Sequence, residues 1–254
     1  MVRSTAVQRP AGRRGPAVVG LAGALMSAIG DVLILGRPSS GRDFDQAAGM
    51  VPSHIDPDNA WRSLWNGARL PVRRIHAGTL TGNVGIGLLQ WLAMRGISRT
   101  LPAGRERQVA EASATAFAVA GVLTHQCCAT VILAYKKAME EPLGSDDEAR
   151  RAPRSATPLL AISTAATLGA LAAYSASLTV AALRRRDSAG AWQAVVTPLP
   201  SVMATLLSFG ALPAPVGGYA RPASISIGLM AYFAITAASD QRDSHRRAAG
   251  SMVH

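Results

Sequence analysis

Charge is scarce in this chain. Only 16% of its 254 residues are Asp, Glu, Lys or Arg, where a soluble domain carries about a quarter, so a water-facing surface is hard to assemble and a membrane protein is the first reading. Lysine is nearly missing: Lys136 and Lys137 stand beside 24 arginines. Cysteine is limited to Cys127 and Cys128, adjacent and inside an apolar run. Neighbouring cysteines do not readily bridge each other and no CxxC or Cys/His spacing occurs, so neither a disulfide framework nor a metal site is indicated, and the pair reads as packing residues. GxSxG, HExxH, a P-loop and a GxGxxG after a strand are all absent, which removes the common soluble-enzyme signatures and any cofactor they would bring. A net charge of +11 would suit nucleic acid, but the arginines lie between and beside apolar runs, which is membrane topology and argues against a nucleic-acid partner.

What is present is a series of long apolar runs. The first, residues 17–36 (AVVGLAGALMSAIGDVLILG), is long enough to cross a bilayer as a helix. Five more spans are expected near 76–94, 108–138, 157–183, 192–212 and 219–239, giving an all-α integral membrane bundle of about six transmembrane helices. Residues 1–16 form a basic lead-in. A signal peptide competes for this region, but the apolar run continues past the point where one would stop. The long connection 37–75, with Trp61 and Trp65 four apart and several arginines, suits a helix at the headgroup level, roofing one end. Residues 139–156 read as a solvated loop and 240–254 as a polar tail. With the N-terminus inside, the cytoplasmic segments hold 14 Lys and Arg against 12 outside, which points to a multi-pass protein of the cytoplasmic membrane with a cytoplasmic N-terminus.

Within the second span Gly78, Gly82 and Gly85 share a face on which another helix can approach closely. His76, Asn83 and Gln90 recur every seven residues, a polar line suited to helix glue or to a cavity wall, although His76 lies at the boundary and reads as interfacial. In the fifth span Pro198 and Pro200 should kink or unwind the backbone.

Asp31 is the one acid inside the first run. It lies five residues before the end, roughly 7 Å deep at about 1.5 Å per residue. An intramembrane acid is a functional-site candidate by default. Burial and the negative end of the helix dipole both disfavour the carboxylate, so a neutral, proton-donating acid is expected there. The structural alternative is an ion pair with Arg37 or an arginine of the roof. His125, in the polar stretch Thr124-His125-Gln126-Cys127-Cys128, is the second candidate; it either orients Asp31 and shares its proton or bonds a facing carbonyl. Asn83, Gln90, Trp91, Trp192 and Tyr174 are the candidate substrate contacts, the aromatics through cation–π stabilisation.

The layout of Gly30-Asp31, His76-Ala77-Gly78, His125, and Trp192 with Pro198 resembles a bacterial family of uncharacterised multi-pass proteins. It also resembles the small membrane-bound terpene cyclases of actinomycete drimentine and indole-sesquiterpenoid pathways. That second resemblance implies a non-metal cyclase: Asp31 protonates a terminal alkene of a farnesyl chain on a lipid-like, prenylated substrate, the polyene closes into rings, and a base removes the last proton, with His125 as partner of the acid. No second acid lies deep in a span, since Glu111 is near the start of the third, and no base is carried over. Two other classes fit an intramembrane acid and histidine. A proton-coupled transporter predicts matching halves, and a non-enzymatic scaffold predicts tolerance of Asp31→Asn.

Overall fold

The computed structural model describes residues 12–36, 67–140, 147–184, 195–210 and 223–251. Among these the fold is helical throughout: α1 (Arg14–Leu35), α2 (Val72–Asn83), a π-helical turn (Val84–Gln90), α3 (Trp91–Ser98), α4 (Arg105–Glu140), α5 (Asp147–Leu183), α6 (Pro198–Gly210) and α7 (Ser224–Ser251). The segments from Val72 to Ser98 form one continuous rod, so the bundle has six legs among the described residues. Three stretches are long and apolar enough to cross a membrane: Arg14–Leu35, Arg105–Lys137 and Pro158–Leu183. This is the architecture of an integral membrane bundle, with small residues inside and larger apolar ones such as Leu80, Leu159, Ile162 and Leu207 outside. In lipid, outward Leu and Ile carry no penalty, and close contact between small residues becomes the main source of cohesion.

Polar contacts at the helix ends show that successive legs alternate in direction. Arg74, on α2, donates from Nε to the Leu33 carbonyl (3.0 Å) and from a terminal nitrogen to the carbonyls of Val32 (3.1 Å) and Gly36 (2.9 Å). These are orphan acceptors at the C-terminal end of α1. At its other end the Arg14 backbone N–H donates to Asp240 Oδ2 of α7 at 3.1 Å. A cation thus meets the negative end of the α1 dipole and an anion the positive end. Arg13 Nε reaches Thr100 Oγ1 at 2.9 Å, and Arg184 pairs with Glu106, so the end of the 72–98 rod, the start of α4 and the end of α5 lie at the end of the bundle where α1 begins.

The close seam of the bundle lies between α1 and the 72–98 rod. A Cβ on Gly30 would come within 2.6 Å of the Gly82 nitrogen and 2.7 Å of the Gly78 carbonyl, and one on Gly23 within 2.9 Å of the Gln90 nitrogen. The expected small-residue face at Gly78, Gly82 and Gly85 is therefore where the backbones meet, and side chains are excluded from it by van der Waals contact. Further along, Gln90 Nε2 donates to Ser27 Oγ at 2.9 Å, and Ser27 in turn donates to the Gly23 carbonyl.

Three expectations need correction. The polar line His76, Asn83, Gln90 does not hold: His76 is exposed whereas Gln90 is fully buried, because the π turn carries more residues per turn and seven residues no longer return to one face. Pro198 and Pro200 act as expected: Val195 is helical, the backbone leaves the helix at Val196 and Thr197, and α6 starts at Pro198, in whose first turn a missing N–H leaves no intrahelical bond unmade. At 13 residues α6 spans about 20 Å, short of the roughly 30 Å hydrocarbon core. The solvated loop expected over 139–156 is shorter, since α4 runs to Glu140 and α5 starts at Asp147; the Ala, Glu and Arg residues there are good helix formers. Likewise α7 continues past Ser239 to Ser251, so the polar tail is largely a helical extension. The basic segment 1–11 and most of the 37–75 connection lie outside the described residues.

Candidate functional site

Asp31 lies on the flank of α1 next to Gly30, and the contact at Gly30 draws α2 close on one side. On another side α4 brings His125 to it: His125 Nε2 is 3.0 Å from Asp31 Oδ1. From α7, Ser226 Oγ donates to Asp31 Oδ2 at 2.7 Å. Three helices remote in sequence thus converge on one carboxyl group. The His125–Asp31 distance is that of an ion pair, but the ring is out of line for a straight N–H···O bond, leaving Nε2 without an aligned partner. The other ring nitrogen, Nδ1, lies 3.3 Å from the Gly121 carbonyl. A carbonyl only accepts, so the hydrogen sits on Nδ1, and Nε2 faces Asp31 either as a lone pair or as the second N–H. A proton placed between the two can therefore sit on an Asp31 oxygen or on His125 Nε2.

Room for the imidazole comes from Gly82. A Cβ at that position would overlap the His125 ring, which is the nearest group it would meet. The glycine expected only as a packing residue thus also makes the Asp31–His125 contact sterically possible. The roof-arginine alternative is not what is found among the described residues: Arg74 binds the carbonyls at the end of α1, one turn above, and Asp31 turns inward. Arg37 lies outside the described residues.

Asp31, His125 and Ser226 form part of the wall of a cavity of about 190 Å³ between α1, α4, α5 and α7. The rest is mostly apolar, with Ile34, Ile86, Phe117, Leu160, Ile225 and Leu229 as its larger side chains. The remaining polar lining consists of Thr124, Thr164, Thr167 and the Cys128 thiol. Among the described residues no lysine or arginine lines the cavity. Among the described residues no three His, Cys, Asp or Glu side chains converge in a way that could hold a metal ion.

The candidate substrate contacts fall elsewhere. Gln90 is occupied in the α1 seam through Ser27. Trp91 donates from Nε1 to Thr115 Oγ1 at 3.2 Å and lies under the Arg95 guanidinium, 5.0 Å from ring centre to carbon, near the opposite end of the bundle. Tyr174 is fully buried and donates to the Met94 carbonyl at 3.0 Å. Asn83 flanks the π turn and does not line the cavity, its buried Oδ1 lacking a partner. Trp192 lies outside the described residues. Sequence spacing ranks residues by polarity and aromaticity, but which face of a helix meets the cavity depends on packing. Ser226, Thr164 and Thr167 passed unnoticed for the same reason. Depth was the available signal for Ser226, because it enters its span about as far from the end as Asp31 leaves its own.

A family profile described as "Family of unknown function (DUF6796)" matches residues 14–239. No curated protein and no solved structure matches the chain.

Proposed function

The chain belongs to the DUF6796 family, and from that premise and the geometry of its cavity we propose an integral membrane enzyme that starts cyclisation of a prenyl chain by protonating an alkene. One observation carries the reading: a carboxyl group held between a histidine and a serine in the wall of an otherwise apolar cavity. Such a cavity suits a lipid-like chain, which enters from the bilayer without desolvation. Asp31, as the neutral acid, forms a new C–H bond at the alkene terminus while its O–H bond breaks; the cation moves along the chain as rings close. The final C–H bond breaks to return a proton to the Asp31–His125 pair, so the product is an isomer of the substrate and the site is regenerated. Ser226 holds one carboxyl oxygen, leaving the other to exchange a proton with substrate or His125. The cytoplasmic membrane, with the N-terminus on the cytoplasmic side, is the location that goes with this reading.

The test is expression in membranes with farnesylated acceptors such as a farnesyl-indole dipeptide, followed by chromatography and mass spectrometry. A product of unchanged mass and altered retention, lost in Asp31→Asn at equal protein level, is expected. Wild-type membranes that leave every prenyl substrate untouched would overturn it and bring proton-coupled transport to the front, for which the Asp31 carboxyl group facing His125 inside the bundle is the supporting observation.

A further inference from the structure

The polar groups in the cavity wall share a property that narrows the ligand. Each hydroxyl hydrogen that faces it is already engaged inside the protein. Thr124 Oγ1 donates to the Ala120 carbonyl (2.9 Å), Thr164 Oγ1 to Leu160 (2.8 Å) and Thr167 Oγ1 to Ser163 (2.8 Å). Ser226 gives its hydrogen to Asp31. Thr124 and Thr167 stand 3.2 Å apart across the α4–α5 contact, so even if one donates to the other, a hydroxyl has a single hydrogen and none is left over for a ligand. What these groups offer the cavity is oxygen lone pairs.

Among the described residues of the wall, where no lysine or arginine stands, the donors remaining are the weak Cys128 thiol and any proton held between Asp31 and His125. An anionic head, such as a phosphate or carboxylate, would be desolvated here without partners, which is costly in low dielectric. A positive charge would meet the negative ends of several fixed dipoles and, once the Asp31 proton has passed to the substrate or to His125, the Asp31 carboxylate at short range, where low dielectric strengthens the attraction.

We propose that this cavity is a site for lipophilic cations, with Thr124 and Thr167 as its specificity-determining residues and Asp31 as the counter-ion. The inference deepens the reading above, on which it rests for the location of the substrate: the threonine oxygens are the groups that stabilise positive charge developing on the chain. They supply in this site what aromatic faces supply elsewhere, Phe117 being the one aromatic among the described residues of the wall. The same chemistry makes a stable alkylammonium ion a ligand in its own right, whether or not the protein turns over an alkene.

The test uses the full chain in nanodiscs of zwitterionic lipid and two probes: geranyltrimethylammonium and its uncharged isostere with carbon in place of nitrogen. Equilibrium dialysis, with empty discs subtracted, gives both affinities. Wild type is expected to prefer the cation by about tenfold, as a buried charge–dipole site should. The preference should fall by about threefold or more in Thr124→Val/Thr167→Val and survive in Thr124→Ser/Thr167→Ser, which keeps both oxygens. Asp31→Asn should remove it. Equal affinity of wild type for the two probes, or no saturable binding of the cation, overturns the proposal, as does an undiminished preference in the valine pair. The wild-type comparison stands alone should the valine pair not fold. Isomerisation of a prenyl substrate without cation preference would remove this inference and keep the cyclase; preference without isomerisation would do the reverse.

Discussion

The two flanks of α1 are built on opposite principles. Towards the 72–98 rod, Gly23 and Gly30 face Gly78, Gly82 and Gly85 so closely that a Cβ added at Gly23, Gly30, Gly78 or Gly85 would strike backbone. Towards α4, α5 and α7 the side chains are Ile, Leu and Thr, and a cavity remains between the helices. In a membrane no hydrophobic force pulls helices together, so contact is closest where side chains are smallest. The difference teaches a division of labour: one flank supplies cohesion and holds α1 still, and the other, freed from that task, keeps open space around Asp31. Asp31 sits where the two meet, its neighbour Gly30 in the seam and its own carboxyl in the cavity wall.

Substitutions can break this contrast or sharpen it. The largest effect expected is on chemistry alone. Asp31→Asn, on the cavity flank, should lower prenyl cyclisation by a factor of about 10² to 10⁴, the usual contribution of a positioned acid, while detergent-induced unfolding shows little change; equal activity per folded protein would refute a proton-donor role. Next comes the seam. Gly30→Ala should destabilise by about 1–3 kcal/mol through overpacking, visible as a lower midpoint in unfolding by a denaturing detergent, with activity lost only in proportion to unfolded protein.

Gly82→Ala tests the place where the flanks touch. Its Cβ would meet the His125 ring, so activity should drop by about tenfold with a small loss of stability, and His125→Ala should add little further, since groups in direct contact are non-additive. Full additivity of the two would mean that Gly82 acts elsewhere. At the end of α1, Arg74→Ala removes three bonds to carbonyl oxygens and should destabilise by about 1 kcal/mol, a change that Arg74→Lys restores in part. A shift confined to activity would mean that Arg74 belongs to the site.

Some of this architecture is legible along the chain. The first helix was expected over 17–36 and runs Arg14–Leu35; a continuous apolar run bounded by arginines and by Gly36 and Pro38 leaves little choice. The glycine face of the second leg was legible because three small residues at spacings of four and three define a helix side. Asp31 and His125 stood out because charge inside an apolar run is costly anywhere in that run. Ser226 did not, since serine in Ser224-Ile225-Ser226 is unremarkable until a carboxylate is found 2.7 Å away. Nor did the π turn at Val84–Gln90, which moved Gln90 away from the cavity and into the seam.

By itself, then, the sequence determined a membrane bundle, the depth of an acid in its first helix and the small-residue face beside it, because depth and composition run along one dimension at a fixed rise per residue. Tertiary structure alone decided that the acid meets His125 and Ser226, and that threonines line the space before it. Those pairings depend on the rotation of each helix about its axis and on which neighbour it packs against, and both are set by contacts between residues as far apart as Asp31 and Ser226.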